Sequence, residues 1–97
     1  MSSMDLKPGD WFKEEWDEKA PEPGRTYYLI DKVDSALITL RRFAVFEKKP
    51  ELNTWGRMEG VESEKITRRL KAPVTDAAEI ARVTAAFDGV PESLEPM

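Results

Sequence analysis

Two adjacent segments rich in aromatic and β-branched residues dominate the middle of the chain. Residues 26–33 read Thr-Tyr-Tyr-Leu-Ile-Asp-Lys-Val, and residues 36–46 read Ala-Leu-Ile-Thr-Leu-Arg-Arg-Phe-Ala-Val-Phe. Such residues favour extended backbone, and Asp34-Ser35 between the two segments is typical of a tight turn. The two segments therefore predict an antiparallel β-hairpin.

The Arg41-Arg42 pair conflicts with simple alternation along the second segment. Successive strand residues point to opposite faces, so a strand with one buried face cannot send both arginines to solvent. A β-bulge, a bend or a strand that leaves the sheet partway would resolve the conflict. The segment is also a candidate edge strand, at which two chains could pair.

The start of the chain predicts a turn followed by a strand. Pro8-Gly9 favours a turn, and Trp11 and Phe12 after it favour extended backbone. The pattern Leu-x-Pro-Gly-Asp followed by an aromatic residue, at residues 6–11, resembles the first strand of many SH3-like small barrels. The resemblance covers only these residues, and it implies a fold but no function.

Two later segments predict further strands. Residues 54–58 predict a short strand that carries Trp55. In residues 64–70, Ile66 and Leu70 fit either the i, i+4 spacing of a helix or one face of a strand. A proline soon afterwards and the alternation before it favour the strand.

The clearest helix signals predict a helix over residues 75–89. Asp76 is a suitable N-cap, and Glu79 three residues later gives a variant of the capping box. Side chains that form one helical stripe follow at Ile80, Val83, Thr84 and Phe87. Gly89 and Pro91 mark the end of the helix.

These elements predict one mainly β domain of α+β type over residues 1–97. Its β-rich part is residues 6–72, its helix is residues 75–89, and residues 1–5 and 92–97 are expected to fray. The expected architecture is a small SH3-like barrel or a strongly bent antiparallel sheet of four to five strands, with one C-terminal amphipathic helix. The alternative is an α+β sheet with the helix across one face.

The composition excludes most kinds of enzyme chemistry. The 97 residues include no cysteine and no histidine. Thiol nucleophiles, thiolate metal sites and histidine-based catalysis are therefore excluded. The five glycines are isolated, so there is no glycine-rich phosphate loop. We expect a protein that is not an enzyme and that has no cofactor and no metal site.

The net charge of −4 conceals a pattern along the chain. Residues 1–24 carry three lysines and seven acids, and residues 73–97 carry one arginine and five acids. The middle, residues 25–72, carries eleven basic and seven acidic residues. Acidic ends thus flank a basic middle, which either gives weak surface complementarity within the fold or steers charged partners.

The sequence shows no apolar signal segment, and no apolar run approaches the roughly 20 residues that a membrane helix needs. We therefore expect a cytoplasmic protein that does not contact the membrane. Its oligomeric state is open.

Three functional hypotheses follow, and the first is a protein-interaction module. Three tryptophans in a small, highly charged chain favour binding through exposed aromatic side chains. Trp16 lies among acids, where a place in the core is less natural. The candidate partner-binding residues are Trp16, Glu14, Glu15, Asp17, Trp55 and Arg57.

The alternatives depend on charge. The basic middle could bind nucleic acid through Arg41, Arg42, Lys65 and Arg69, although an isoelectric point near 4.9 disfavours this. The acidic stretch around Trp16 could instead make the protein a small inhibitor that occupies a nucleic-acid site on a larger protein.

Overall fold

Five antiparallel strands form one sheet in the computed structural model, which describes residues 6–93. The strands are β1 (Trp11–Glu15), β2 (Gly24–Asp34), β3 (Leu37–Phe46), β4 (Thr54–Glu62) and β5 (Ala72–Pro73). A 3-10 turn (Pro50–Leu52) and two helices, α1 (Ser63–Ile66) and α2 (Ala77–Ala86), complete the chain order. The strand order across the sheet is β4-β3-β2-β1-β5.

The sheet is open. Within residues 6–93, β4 and β5 form its two edges and do not pair with each other, so the strands do not close into a barrel. The predicted mainly β class, with an antiparallel sheet and a C-terminal helix, is confirmed. Of the residues predicted to fray, 1–5 and 92–97, residues 1–5 and 94–97 lie outside the described part of the chain. Glu92 and Ser93 are described, and both form hydrogen bonds with β4.

The central hairpin predicted from the sequence is present as β2 and β3. Its turn lies one residue later than expected, at Ser35-Ala36, because Asp34 still belongs to β2. Ser35 has a φ of 58°, in the left-handed region that turns of this kind use. Two register irregularities, at residues 30–32 of β2 and 38–40 of β3, interrupt the pairing of β3 with its neighbours.

The expected irregularity at Arg41-Arg42 is wrong. The register is regular there, with Leu29 opposite Arg41 and Tyr28 opposite Arg42. Alternation sends the two arginines to opposite faces, and both faces of the sheet tolerate a partly covered arginine. The edge-strand prediction is also wrong, because β3 lies between β2 and β4.

One face of the sheet, hereafter the closed face, carries the most completely buried side chains. Tyr28, Ile30, Ile38 and Leu40 each expose at most 1% of their surface. The residues that pack with them are Leu6, Phe12, Ile66 and Leu70. Mostly aliphatic packing of this kind removes nearly all of the apolar surface from water and supplies much of the driving force for folding.

The segment that covers the closed face corrects one prediction. Residues 63–66 form the short helix α1, and residues 67–69 continue as a turn, so the strand expected over residues 64–70 is wrong. Ile66 and Leu70 are both buried against the sheet. Their i, i+4 spacing therefore indicated a helical turn and not a strand. This spacing places both side chains on the same side of the turn, where they pack against the core.

The other face, hereafter the helix face, packs against α2. Asp76 caps α2 as predicted, because its side chain accepts a hydrogen bond from the backbone N–H of Ala78. Val83 and Phe87 of the predicted stripe are buried against Tyr27 and Phe43 of the sheet. Thr84 is exposed, and its hydroxyl bonds within the helix. Gly89, with a φ of 83°, follows the helix end, as expected.

The C-terminal segment after α2 runs along the outer edge of β4. The backbone N–H of Ser93 donates to the carbonyl of Trp55 at 2.7 Å. The backbone N–H of Arg57 donates to Oε2 of Glu92 at 3.2 Å. This part of the β4 edge is therefore occupied by the chain itself, and the opposite edge, β5, is only two residues long and includes Pro73.

Candidate functional site

Three aromatic rings from three different strands stack on the helix face. Trp11 and Trp55 lie on either side of Phe43, with ring centroids 5.6 and 5.8 Å away and interplanar angles of 23°. The strand register explains why the three rings are aligned. Phe43 pairs directly with Trp55 on β4 and with Tyr27 on β2. Strand β1, which carries Trp11, is the next strand beyond β2. Phe43 is buried, whereas both tryptophans remain partly exposed.

The stack lines a cleft of about 370 Å³, hereafter the aromatic cleft, beside the C-terminal end of α2. Thr84 of α2, Phe87 at the C-terminal cap of this helix and residues 88–90 also line the cleft. Phe87 also meets Phe43 at 4.9 Å, which fixes the helix end against the stack. Because α2 ends here, it leaves part of the aromatic surface without a cover.

Polar groups of both signs surround the aromatic cleft. Arg41 lines it and is held by Asp31, with Nε donating to Oδ2 at 2.9 Å. The indole N–H of Trp55 donates to the carbonyl of Val90 at 2.8 Å, which fixes the orientation of that ring. Asp88 contributes an acidic group to the lining of the cleft. An apolar floor with fixed polar groups at its margin is typical of binding sites in proteins.

A partly buried polar network holds α2 in place at the other end of the helix face. Glu79 Oε2 accepts hydrogen bonds from the Tyr27 hydroxyl at 2.7 Å and from Lys13 Nζ at 3.1 Å. The Tyr27 hydrogen bond lowers the pKa of Glu79 below its ordinary value; burial opposes this, and Lys13 adds to the lowering. Glu79 thus bonds to the sheet, a role that the capping-box pattern did not predict.

Trp16, the first residue singled out from the sequence, lies apart from the aromatic cleft. Its ring is partly buried and meets Phe46 edge-on at 4.8 Å, and its indole N–H donates to the Thr26 hydroxyl at 2.8 Å. It also covers Gly24, where any side chain would collide with the Trp16 ring. These contacts favour an anchoring role for Trp16 at the end of the hairpin.

The acidic neighbours of Trp16 are divided among several partners. Glu14 accepts from the Tyr28 hydroxyl at 3.2 Å, and Glu15 lies 3.3 Å from Nε of Arg25. Asp17 is exposed and accepts from the backbone N–H of Lys19. Together with Trp55 and Arg57 on β4, the predicted partner-binding residues therefore occupy separate parts of the surface.

The predicted nucleic-acid residues are also divided. Arg41 lies on the helix face, whereas Arg42 and Arg69 share a cavity on the closed face. Lys65 is exposed on α1 and lies 3.6 Å from Glu62. Of these four residues, the structure thus brings together Arg42 and Arg69 only, and the four do not form one continuous surface.

Sequence reasoning missed the roles of Trp11 and Phe43 in the cleft. Both were expected in strands, but nothing short of the strand register shows that they stack with Trp55. The sequence did predict a strand at each of the three aromatic residues. This was the one indication that their rings could lie on the same sheet.

Comparison with protein-family models, with curated proteins and with solved structures finds no match to this chain. In the described residues 6–93, no helix is long and apolar enough to cross a membrane. In the same residues, no three side chains of the types His, Cys, Asp and Glu are grouped so that they could hold a metal ion.

Proposed function

We propose that this chain is a non-enzymatic protein-interaction module that binds a partner protein through the aromatic cleft. The observation that carries the proposal is the partly exposed Trp11–Phe43–Trp55 stack beside the end of α2. Tryptophan and arginine are enriched among the residues that dominate binding energy at protein interfaces. Here two tryptophans and Arg41 line the same cleft.

The geometry fits an apolar side chain of the partner. The floor of the cleft is aromatic, and its rings are held by stacking and by the Trp55–Val90 hydrogen bond. Because these side chains are already ordered, they lose little conformational entropy when a partner binds. The volume of about 370 Å³ lies at the small end of the range for ligand pockets. One or two large apolar side chains from an exposed partner segment would fill it.

The distribution of charge gives less support to nucleic-acid binding and to the inhibitor role. Arg41 and Arg42 point to opposite faces, so one phosphate backbone cannot contact both from one side of the sheet. Two of the acids near Trp16 face basic or hydroxyl groups of the chain itself.

The test blocks the aromatic cleft without removing a core side chain. Thr84→Arg places a long cation at the cleft wall, whereas Ala85→Arg places the same side chain on the next, exposed position of α2. Tagged wild type and both variants would be used to capture partners from nuclease-treated lysate, with proteins and nucleic acids both identified. We expect Thr84→Arg to reduce capture of a specific protein about tenfold or more and Ala85→Arg to leave it unchanged.

The opposite results would be equally clear. Equal capture by Thr84→Arg and wild type would remove the cleft from the interface. A signal that requires intact nucleic acid would instead favour the basic-surface hypothesis, and its affinity should then fall steeply with added salt.

A further inference from the structure

The two charged side chains that line the aromatic cleft differ in their pairing. They are Arg41 and Asp88. Nε of Arg41 donates to Oδ2 of Asp31 at 2.9 Å, so the positive charge of Arg41 is compensated within the fold. Asp88 is exposed, and among the described residues its side chain forms no hydrogen bond and no ion pair. The cleft therefore has one unpaired charge in its lining, and that charge is negative.

The end of α2 adds to the negative potential of the cleft. Thr84 in the last turn of α2 and residues 87–90 after it line the cleft, so the C-terminal end of the helix lies beside it. The C-terminus of a helix carries a partial negative charge, which a basic residue in the last turn can offset. The last turn of α2 contains no basic residue. The helix end and Asp88 thus contribute the same sign of charge at the same place.

The aromatic rings favour a cation as well. The faces of an aromatic ring are negative, and tryptophan attracts a nearby cation more strongly than tyrosine or phenylalanine does. Trp11 and Trp55 are partly exposed and line the same cleft as Asp88. The free carboxylate, the helix end and the two indoles are separate features, and all of them favour a positively charged group in the cleft.

One basic residue close to the cleft does not reverse this balance. Arg57 lies opposite Arg41 in the strand register, outside the lining of the cleft. The backbone N–H of Arg57 donates to the carboxylate of Glu92 at 3.2 Å, so an acid lies next to it. Around the cleft, the three acids Asp31, Asp88 and Glu92 therefore stand against two bases.

We propose that the partner segment places a lysine or an arginine in the aromatic cleft, next to its apolar anchor. This inference rests on the proposed function and adds the charge of the partner to it. The aliphatic stem of the basic side chain packs on the aromatic floor, and its cationic head lies near Asp88 and the indoles. An acidic residue at this place is disfavoured, because its carboxylate would face Asp88 and the helix end.

The first experiment is a titration of the ¹⁵N-labelled full chain by NMR with three probes of similar shape and different charge. The probes are 3-phenylpropylammonium, 3-phenylpropanol and 3-phenylpropanoate. The indole N–H signals of Trp11 and Trp55 report on the cleft, and that of Trp16, which lies apart from it, is the internal control. We expect the ammonium to bind about tenfold more tightly than the alcohol, and the carboxylate to bind most weakly.

Matched substitutions assign this preference to Asp88. Asp88→Asn removes the charge, so the advantage of the ammonium over the alcohol should fall to about twofold. Asp34→Asn, the same change at an exposed position outside the cleft lining, should leave the advantage unchanged. Thr84→Arg should prevent all three probes from shifting the indole signals of the cleft. Circular dichroism of each variant would check that the fold is retained.

Selection from a random peptide library tests the same point with peptide ligands. Peptides whose binding is blocked by Thr84→Arg should carry lysine or arginine close to a large apolar residue. Selection against Asp88→Lys should enrich aspartate or glutamate at that place instead. Peptides with no charge preference, or with one that Asp88→Lys does not reverse, would contradict the inference.

The NMR outcomes separate this inference from the proposed function. If the three probes bind equally or the carboxylate binds most tightly, and Thr84→Arg blocks them, the choice of a cation is wrong and the cleft remains a binding site. An ammonium preference that Asp88→Asn and Asp34→Asn change equally would show only general attraction to an acidic protein, which also overturns the inference. If no probe shifts the signals of Trp11 and Trp55, or if Thr84→Arg does not change the shifts, both the inference and the proposed site are wrong.

Discussion

The two faces of the sheet are both apolar, but they are covered differently. On the closed face, short elements contribute single side chains, from Leu6, Ile66 and Leu70, that seal the core almost completely. On the helix face, one ten-residue helix covers the middle and leaves Trp11, Leu29 and Trp55 partly exposed. The helix face therefore keeps more partly exposed apolar side chains at its core than the closed face does.

The difference separates two uses of apolar residues. Fully buried aliphatic side chains on the closed face mainly stabilise the fold, whereas the half-covered aromatic rings on the helix face also form the surface that we propose binds a partner. The following predictions test this division, from the largest expected effect to the smallest.

Leu40→Ala should lower the free energy of unfolding by about 3–4 kcal/mol. Leu40 is fully buried on the closed face, so truncation leaves a cavity. The matched change on the helix face, Leu29→Ala, should cost only about 1 kcal/mol because Leu29 is partly exposed already. Urea unfolding of both variants would measure the two values. Equal losses would contradict the division between the faces.

Trp16→Ala should lower the free energy of unfolding by about 2–3 kcal/mol. The change removes the edge-on contact with Phe46 and leaves the buried Thr26 hydroxyl without its indole donor. Trp16→Phe, which keeps a ring, should lose about half as much. If thermal unfolding of Trp16→Ala matches wild type, the ring is free to bind partners, as the sequence first indicated.

Glu79→Gln should cost about 1 kcal/mol near neutral pH and have a smaller effect in acid. The pKa of Glu79 is lowered in the folded protein, so its stabilisation is fully present above the unfolded-state pKa. That stabilisation is lost as the pH falls through the lower folded-state pKa. The gap between variant and wild type should therefore narrow below about pH 4. A gap independent of pH would show that the charge of Glu79 does not contribute.

The elements that could be predicted from the sequence are those with local signals. The hairpin follows from its β-branched and aromatic residues, and α2 follows from Asp76 and Gly89. The helical turn α1 was missed because Ile66 and Leu70 satisfy both periodicities, and only the shape of the closed face decides between them.

The candidate sites were harder to predict, because each depends on contacts between strands that are distant in sequence. Trp16 looked exposed among acids, yet Gly24 provides a flat surface on which its ring packs. The sequence analysis grouped Arg42 and Arg69 with Arg41 as candidate nucleic-acid-binding residues. Because Arg41 and Arg42 are adjacent on β3, they lie on opposite faces of the sheet. Strand alternation predicts that adjacent residues lie on opposite faces of the sheet. It does not predict which residue, distant in sequence, each of them contacts.

The C-terminal segment along β4 affects how readily another molecule can add a strand to this edge of the sheet. Exposed strand edges are templates for addition of further strands from other molecules. Here the segment that bonds to Trp55 and Arg57 is tethered to α2, so it acts at an effective concentration of about millimolar. A strand from another molecule at micromolar concentration would therefore have to bind this part of the edge about a thousandfold more tightly than the tethered segment in order to displace it.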